Sequence, residues 1–150
     1  MRKIISKSPK QTELFAQKVA AGLKGGEILA LIGELGAGKT FFTKSLALTL
    51  GVRKKVTSPT FILLKTYKTK NKKIKIIYHL DAYRLKKAKD FIALGVLDFL
   101  GAKNTLTIIE WADKIKSILP EKTIFIKIKI LKNGEGREII LPRGKFHQLK

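Results

Sequence analysis

Gly33-Glu34-Leu35-Gly36-Ala37-Gly38-Lys39-Thr40 fits the pattern G-x-x-x-x-G-K-[ST] of a phosphate-binding loop. Its glycines let the backbone curl so that successive N–H groups point inward at phosphate oxygens, and the helix that follows offers its positive N-terminal end to the same anion. Lys39 is then expected to reach the terminal phosphates, and Thr40 to present a hydroxyl to Mg²⁺. The flanks agree with the motif. Ile28-Leu29-Ala30-Leu31-Ile32 is an unbroken apolar run, as a central strand covered on both faces requires. After Lys39, the residues Phe42, Leu46 and Leu50 recur at a spacing of four, and Gly51 stands where a helix C′ glycine stands.

Working outward, Ser8-Pro9-Lys10-Gln11 reads as a helix start, with serine as N-cap, proline at the first helical position and Gln11 at the capping-box position. Phe15, Val19 and Leu23 form its apolar stripe, and Gly25-Gly26 ends it. On the other side, Pro59 keeps Thr57-Ser58-Pro59-Thr60 out of helix. Residues 61–67 and 74–80 read as the strands of a hairpin around the polar loop 68–73, and a short helical region follows with Phe91, Leu94, Leu97 and Leu100 on one face. Residues 105–109 read as a buried strand. Ile124, Ile126, Ile128 and Ile130 alternate with Phe125, Lys127 and Lys129, and Asn133-Gly134 turns that strand into residues 137–141. The expected architecture is α/β: a P-loop NTPase-like, mostly parallel central sheet flanked by helices, with antiparallel hairpin additions. Residues 1–150 are expected to form a single P-loop ATPase domain, with 143–150 as a frayed tail.

The chain carries no cysteine, which excludes disulfides and thiolate metal sites and fits a reducing compartment. Its basic N-terminus has only two apolar residues before turning polar, unlike a signal peptide, and no apolar run approaches the roughly 20 residues of a membrane span. A cytoplasmic protein without membrane attachment is expected. Lys and Arg number 32 against 11 acids, a net charge of +21. Such a field attracts nucleic acid, anionic membrane or acidic protein without regard to sequence. Because the lysines are spread along the chain, a compositional bias of the source proteome is the favoured account, with an acidic partner, tRNA included, as the alternative.

In open α/β sheets, ligands bind outside the carboxyl ends of the strands. Two strands are expected to finish there in an acid: Ile76-Ile77-Tyr78-His79-Leu80-Asp81 and Leu106-Thr107-Ile108-Ile109-Glu110. Asp81 and Glu110 are therefore candidates, with Thr40, for holding Mg²⁺ or orienting an attacking water, the alternative being a helix cap or a surface ion pair. Ser58 and Thr60 read either as a self-capping turn or as a segment that senses a γ-phosphate. His79 reads as a packed strand residue, Trp111 as core filling or as a cover for the nucleotide, and Arg84 as a surface cation or an anion contact.

The loop at 33–40, Thr-Ser-Pro-Thr-Phe at 57–61, His-Leu-Asp-Ala-Tyr-Arg-Leu at 79–85 and Glu-Trp at 110–111, in this order, closely resemble the TsaE (YjeE-type) ATPases over roughly residues 6 to 141. That resemblance implies a small ATPase required for threonylcarbamoyladenosine at position 37 of tRNA, acting with the transferase TsaD and its companion TsaB. It implies weak hydrolysis alone, stimulated by those partners. Carried over residue by residue, it gives Gly33, Glu34, Leu35, Gly36, Ala37, Gly38, Lys39, Thr40 and Phe41 as nucleotide contacts, Thr12 near the base, and Arg137 as a looser match. Glu110, Asp81 and Lys39 would be catalytic, and Thr40, Glu110 and Asp81 would serve the metal. The lysine excess departs from the family's usual balance, so tRNA contact stays open, indirect or through the basic surface. Two other functions share the loop: a P-loop kinase of a small metabolite, and a basic nucleic-acid-binding module with a vestigial nucleotide site.

Overall fold

In the computed structural model, which describes residues 1–132, 134–144 and 146, the chain runs β1 (Arg2–Ser6), α1 (Pro9–Gly22), β2 (Glu27–Ile32), α2 (Lys39–Thr49), β3 (Leu64–Lys68), β4 (Ile76–Asp81), α3 (Ala88–Ile92), β5 (Thr105–Glu110), β6 (Ile124–Ile130) and β7 (Arg137–Leu141). Tight 3₁₀ turns occupy Val96–Asp98 and Ala112–Ile118. The strands form one mixed sheet of seven, in the order β1-β7-β6-β2-β5-β4-β3. Strands β6, β2, β5 and β4 are parallel, while β7, β1 and β3 are added antiparallel at the two sides. The apolar run that precedes the loop is thus a central strand, and β5 beside it is buried at every residue.

The two faces of β2 separate the core into halves. Leu29 and Leu31 pack under α1 and α2 with Phe15, Val19, Phe42 and Leu46, and Ile28 and Ala30 pack on the other side with Leu80, Phe91, Val96 and Ile115. Because β2, β4 and β5 run parallel, their carboxyl ends arrive at one edge of the sheet. Register then pairs Leu31 with Glu110 and Asp81 with Glu110. The topology alone brings the loop and both strand-end acids together.

Several local expectations are corrected. Residues 61–63 are not strand: Leu63 N–H donates to Pro59 O at 2.6 Å, closing a turn that leaves Phe61 80% and Ile62 62% exposed, and Leu63 sits at φ 64°. Strand β4 begins two residues later than its apolar pattern and runs on to Asp81, because Thr69 and Asn71 bond Ile74 into the hairpin loop. Leu97 is 59% exposed and Val96 is buried in its place, since Gly95 at φ 72° breaks the helical period. Ser8 does cap α1, yet Gln11 Oε1 accepts from Lys7 N–H at 2.7 Å and not from the N-cap residue itself. Strand β1 went unread as a strand, because it lies on the edge and alternates half-buried with exposed positions. The Asn133 half of the expected turn and, within the expected frayed tail, residues 145 and 147–150 lie outside the described residues.

Gly33, at the exit of β2, has no room for a side chain: a Cβ there would overlap the carbonyl oxygen of Ile128 on β6 and come within 3.1 Å of the Ala37 Cβ. Gly33→Ala is expected to lower stability by about 1–3 kcal/mol through overpacking. For a chain of this size that corresponds to a fall in Tm of roughly 2–10 °C. A melting curve identical to the parent's would show that this close approach is not part of the native packing.

Candidate functional site

The loop at 33–38 reaches α2 through Gly38, whose φ of 104° only glycine adopts readily and which caps the helix without any side-chain bond. The first N–H groups of α2 are therefore left for something other than a side chain. Arg137, from β7, holds the loop from outside: its guanidinium donates to Ala37 O at 2.9 Å and to Gly36 O at 3.0 Å. Lys39, only 5% exposed, folds back so that Nζ donates to Gly33 O at 2.6 Å and Glu34 O at 3.0 Å. It also lies 3.8 Å from the ring centroid of Trp111. Burial pushes the Lys39 ammonium below the ordinary lysine value of 10.5, against the opposing pull of Glu110 and Asp81.

Glu110, at the end of β5 and 2% exposed, is the hub of the site. Its Oε2 accepts from the Thr40 hydroxyl at 2.8 Å, and its Oε1 lies 2.8 Å from His79 Nε2. With the proton on Nε2, the imidazole donates to that carboxylate oxygen. The His79 Nδ1 is buried and has no hydrogen-bond partner among the described residues. Next in the chain, Trp111 stands at φ 57°, a left-handed conformation costly for a non-glycine residue, and this turn aims the indole under Lys39. Asp81, 3% exposed, accepts from Thr60 at 2.9 Å and Ser58 at 3.1 Å through Oδ2, and from Tyr83 N–H at 2.8 Å through Oδ1. Lys65 and Tyr67 of β3 bind Thr57 and so hold that segment from behind.

Two adjoining hollows result. One, of about 360 Å³, is lined by Leu35, Gly36, Gly38 to Phe41, Ser58, Thr60, Asp81, Glu110 and Trp111. The other, of about 340 Å³, is lined by residues 6–9, Thr12, Gly36 to Gly38, Phe41, Gly136 and Arg137. They share Gly36, Gly38 and Phe41, so one ligand with an anionic end and a bulkier end can span both. The fold brings together Lys39, Thr40, Asp81 and Glu110 at the first and Thr12, Ala37 and Arg137 at the second. Gly33 and Glu34 contribute the carbonyls that hold Lys39, while the Leu35 side chain is 79% exposed at the rim. Arg84 stays outside, stacked 4.2 Å from the Phe61 ring. Two participants escaped the sequence reading. His79 stands two residues before Asp81 on one strand, a spacing that puts both on the same face, and that was the available signal. Ser6, whose hydroxyl lies 2.7 Å from that of Thr12, carried no signal.

Among the described residues no helix is long and apolar enough to cross a membrane. The family model described as "Threonylcarbamoyl adenosine biosynthesis protein TsaE" matches residues 6–139. The chain is 38% identical over 135 residues to the tRNA threonylcarbamoyladenosine biosynthesis protein TsaE of Treponema pallidum, covering 90% of this chain and 96% of that protein. It is 41% identical over 128 residues to the protein of that name in Rickettsia bellii, covering 85% of each. The fold is similar to the crystal structure of Bacillus subtilis YdiB, with a TM-score of 0.75 at 33% identity, covering 93% of this chain and 83% of that one.

The depressed Lys39 fixes the sign of a pH effect. Between its folded value and 10.5 the unfolded chain binds the extra proton, so Lys39 makes stability rise with pH in that window. The difference in unfolding free energy between the parent and Lys39→Met, measured by denaturant titration at pH 7.5 and again just below 10.5, is expected to shift in the parent's favour at the higher pH. A difference that stays constant would mean that the ammonium is not desolvated.

Proposed function

The chain belongs to the TsaE family, and from that membership and the geometry of the site we propose that it binds and hydrolyses ATP in the synthesis of threonylcarbamoyladenosine at position 37 of tRNA. On this reading residues 1–150 are a single P-loop NTPase-like domain that works in the cytoplasm with TsaB and TsaD. The observation that carries it is the 2.8 Å bond between the Thr40 hydroxyl of the loop and the Glu110 carboxylate of β5. It joins the phosphate-binding element to a strand-end acid, with Lys39 and Asp81 lining the same hollow.

The loop N–H groups and the start of α2 would take the phosphates, with Lys39 leaving its carbonyl partners to meet the terminal ones. The base end would lie in the second hollow by Thr12, Phe41 and Arg137. The donor set suits Mg²⁺: three oxygen ligands from Thr40, Glu110 and Asp81, and among the described residues no cluster of three or more His, Cys, Asp and Glu that would cage a cation without help. Mg²⁺ asks for one or two carboxylates and takes the rest from phosphate and water, and when bound it would neutralise charge on the transferring phosphoryl group. Glu110 would orient the attacking water, with its carboxylate steadied by the contact to His79. Ser58 and Thr60, tied to Asp81, would answer to the terminal phosphate.

Glu110→Gln is nearly isosteric and removes the charge. It is expected to retain binding of a fluorescent ATP analogue while hydrolysis falls by about 10²-fold or more. Retained hydrolysis there, with loss confined to Asp81→Asn, would transfer the principal role to β4. The assignment as a whole is tested by mixing the purified chain with TsaB, TsaD, tRNA, a donor of the threonylcarbamoyl group and ATP. Modified nucleoside should accumulate over repeated turnovers with the parent and not with Lys39→Ala. Equal accumulation without the chain or without ATP would refute it.

A further inference from the structure

Residues 35–80 contain eleven Lys and Arg and not one Asp or Glu. The fold gathers part of this run at a single place. The turn after α2, residues 50–55, packs on the β3–β4 loop, residues 68–75, so closely that a Cβ on Gly51 would stand 3.0 Å from the Lys70 Cβ. The cleft between them encloses about 460 Å³ and is lined by Arg53, Lys54, Thr66, Lys68 and Lys70. All four cations are exposed, as are Lys72 and Lys73 beside them, and among the described residues no ion pair engages any of the six.

The loop is built, not loose. Asn71 Oδ1 accepts from Lys73 N–H at 2.8 Å and Ile74 N–H at 3.1 Å, Thr69 bonds Ile74 O, and Lys75 N–H donates to Asn104 O at 2.7 Å. The cations therefore start from fixed backbone positions, which lowers the ordering cost of contacting a rigid polyanion. The place is also separate from the nucleotide. Helix α2 starts at the phosphate loop and delivers its far end here, about 16 Å away at 1.5 Å per residue, and β4 reaches from this loop to Asp81.

We propose that this cleft is a docking surface for the sugar–phosphate backbone of RNA. The choice of RNA rests on the reading that the chain serves tRNA modification. Independently, clustered cations around a hydroxyl-lined concavity suit a ribose–phosphate strand. A membrane surface fits less well, because none of the exposed large apolar side chains belongs to either loop, and a basic patch without an apolar anchor holds lipid weakly.

The test uses the whole chain and an in-vitro transcribed tRNA, with binding followed by fluorescence anisotropy from low to moderate NaCl. Compared are the parent, a patch variant (Arg53→Gln, Lys54→Gln, Lys70→Gln, Lys72→Gln), and a control that removes equal charge elsewhere (Lys116→Gln, Lys127→Gln, Lys129→Gln, Lys132→Gln). The patch variant is expected to lose about 10- to 100-fold in affinity at 0.1 M salt. Its log–log salt slope should be shallower by roughly 0.7–0.9 for each phosphate left without its cation. The control should stay close to the parent, and all three should bind the ATP analogue alike, showing that the fold is intact. Equal losses in patch and control would reduce the effect to net charge and overturn the proposal. So would no tRNA binding by the parent, or loss in the patch variant only of binding to phosphatidylserine vesicles or to TsaB–TsaD. The tRNA titration contains neither ATP nor partner proteins. A chain that binds tRNA here yet fails to support modification refutes the proposed function and leaves the surface standing.

Discussion

A carboxylate with almost no exposure must be met from every side, and Glu110 is met by a loop hydroxyl on one oxygen and by an imidazole on the other. An unpaired charge at that depth would cost several kcal/mol. The bonds from Thr40 and His79 therefore tie three separate segments into one arrangement: the phosphate loop, β4 and the end of β5. Strand β5 is buried along its whole length because it lies between β2 and β4 in the middle of the sheet, so the acid at its end is presented from a strand held on both sides. The left-handed turn at Trp111 follows from this constraint, since the chain must leave β5 at once and bring an aromatic ring beneath Lys39.

Much of this was legible because it depends on period and spacing. The loop pattern, the uninterrupted apolar run before it and the four-residue stripe after it identify β2 and α2 from the chain alone. Strand-final acids are readable where a parallel strand ends, since Ile76 to Asp81 and Leu106 to Glu110 have strand composition and each closes on a carboxylate. What stayed hidden depends on three-dimensional partners. Phe61 and Ile62 have the composition of a strand, and only the bond from Leu63 to Pro59 shows that they lie in a turn. His79 has a strand residue's surroundings and a site residue's contact; its spacing from Asp81 puts it on the acid's face, but the bond to Glu110 depends on the neighbouring strand. Strand β1 is held by pairing with β7, more than a hundred residues away, so its weak local pattern could not announce it. Arg137 was legible as an arginine of interest, but its action on the loop carbonyls belongs to the sheet order, which brings the last strand near the first motif.

Charge is organised on two scales. Over the whole chain the excess is +21, while the buried charged side chains among the described residues are Lys39, Asp81 and Glu110, one cation and two acids at the same strand edge. The wide positive field draws anions toward the protein from a distance, although salt screens it beyond about 10 Å. At close range the two neighbouring carboxylates repel a bare polyanion and hold one side of the hollow negative. An anion that carries its own cation satisfies both scales, entering on the general field and presenting positive charge where Asp81 and Glu110 face it. On the proposed reading the basic surroundings need no role in selecting the ligand, because the buried pair would supply the selection. The exposed cations at the far end of α2 stay free for a partner of a different size.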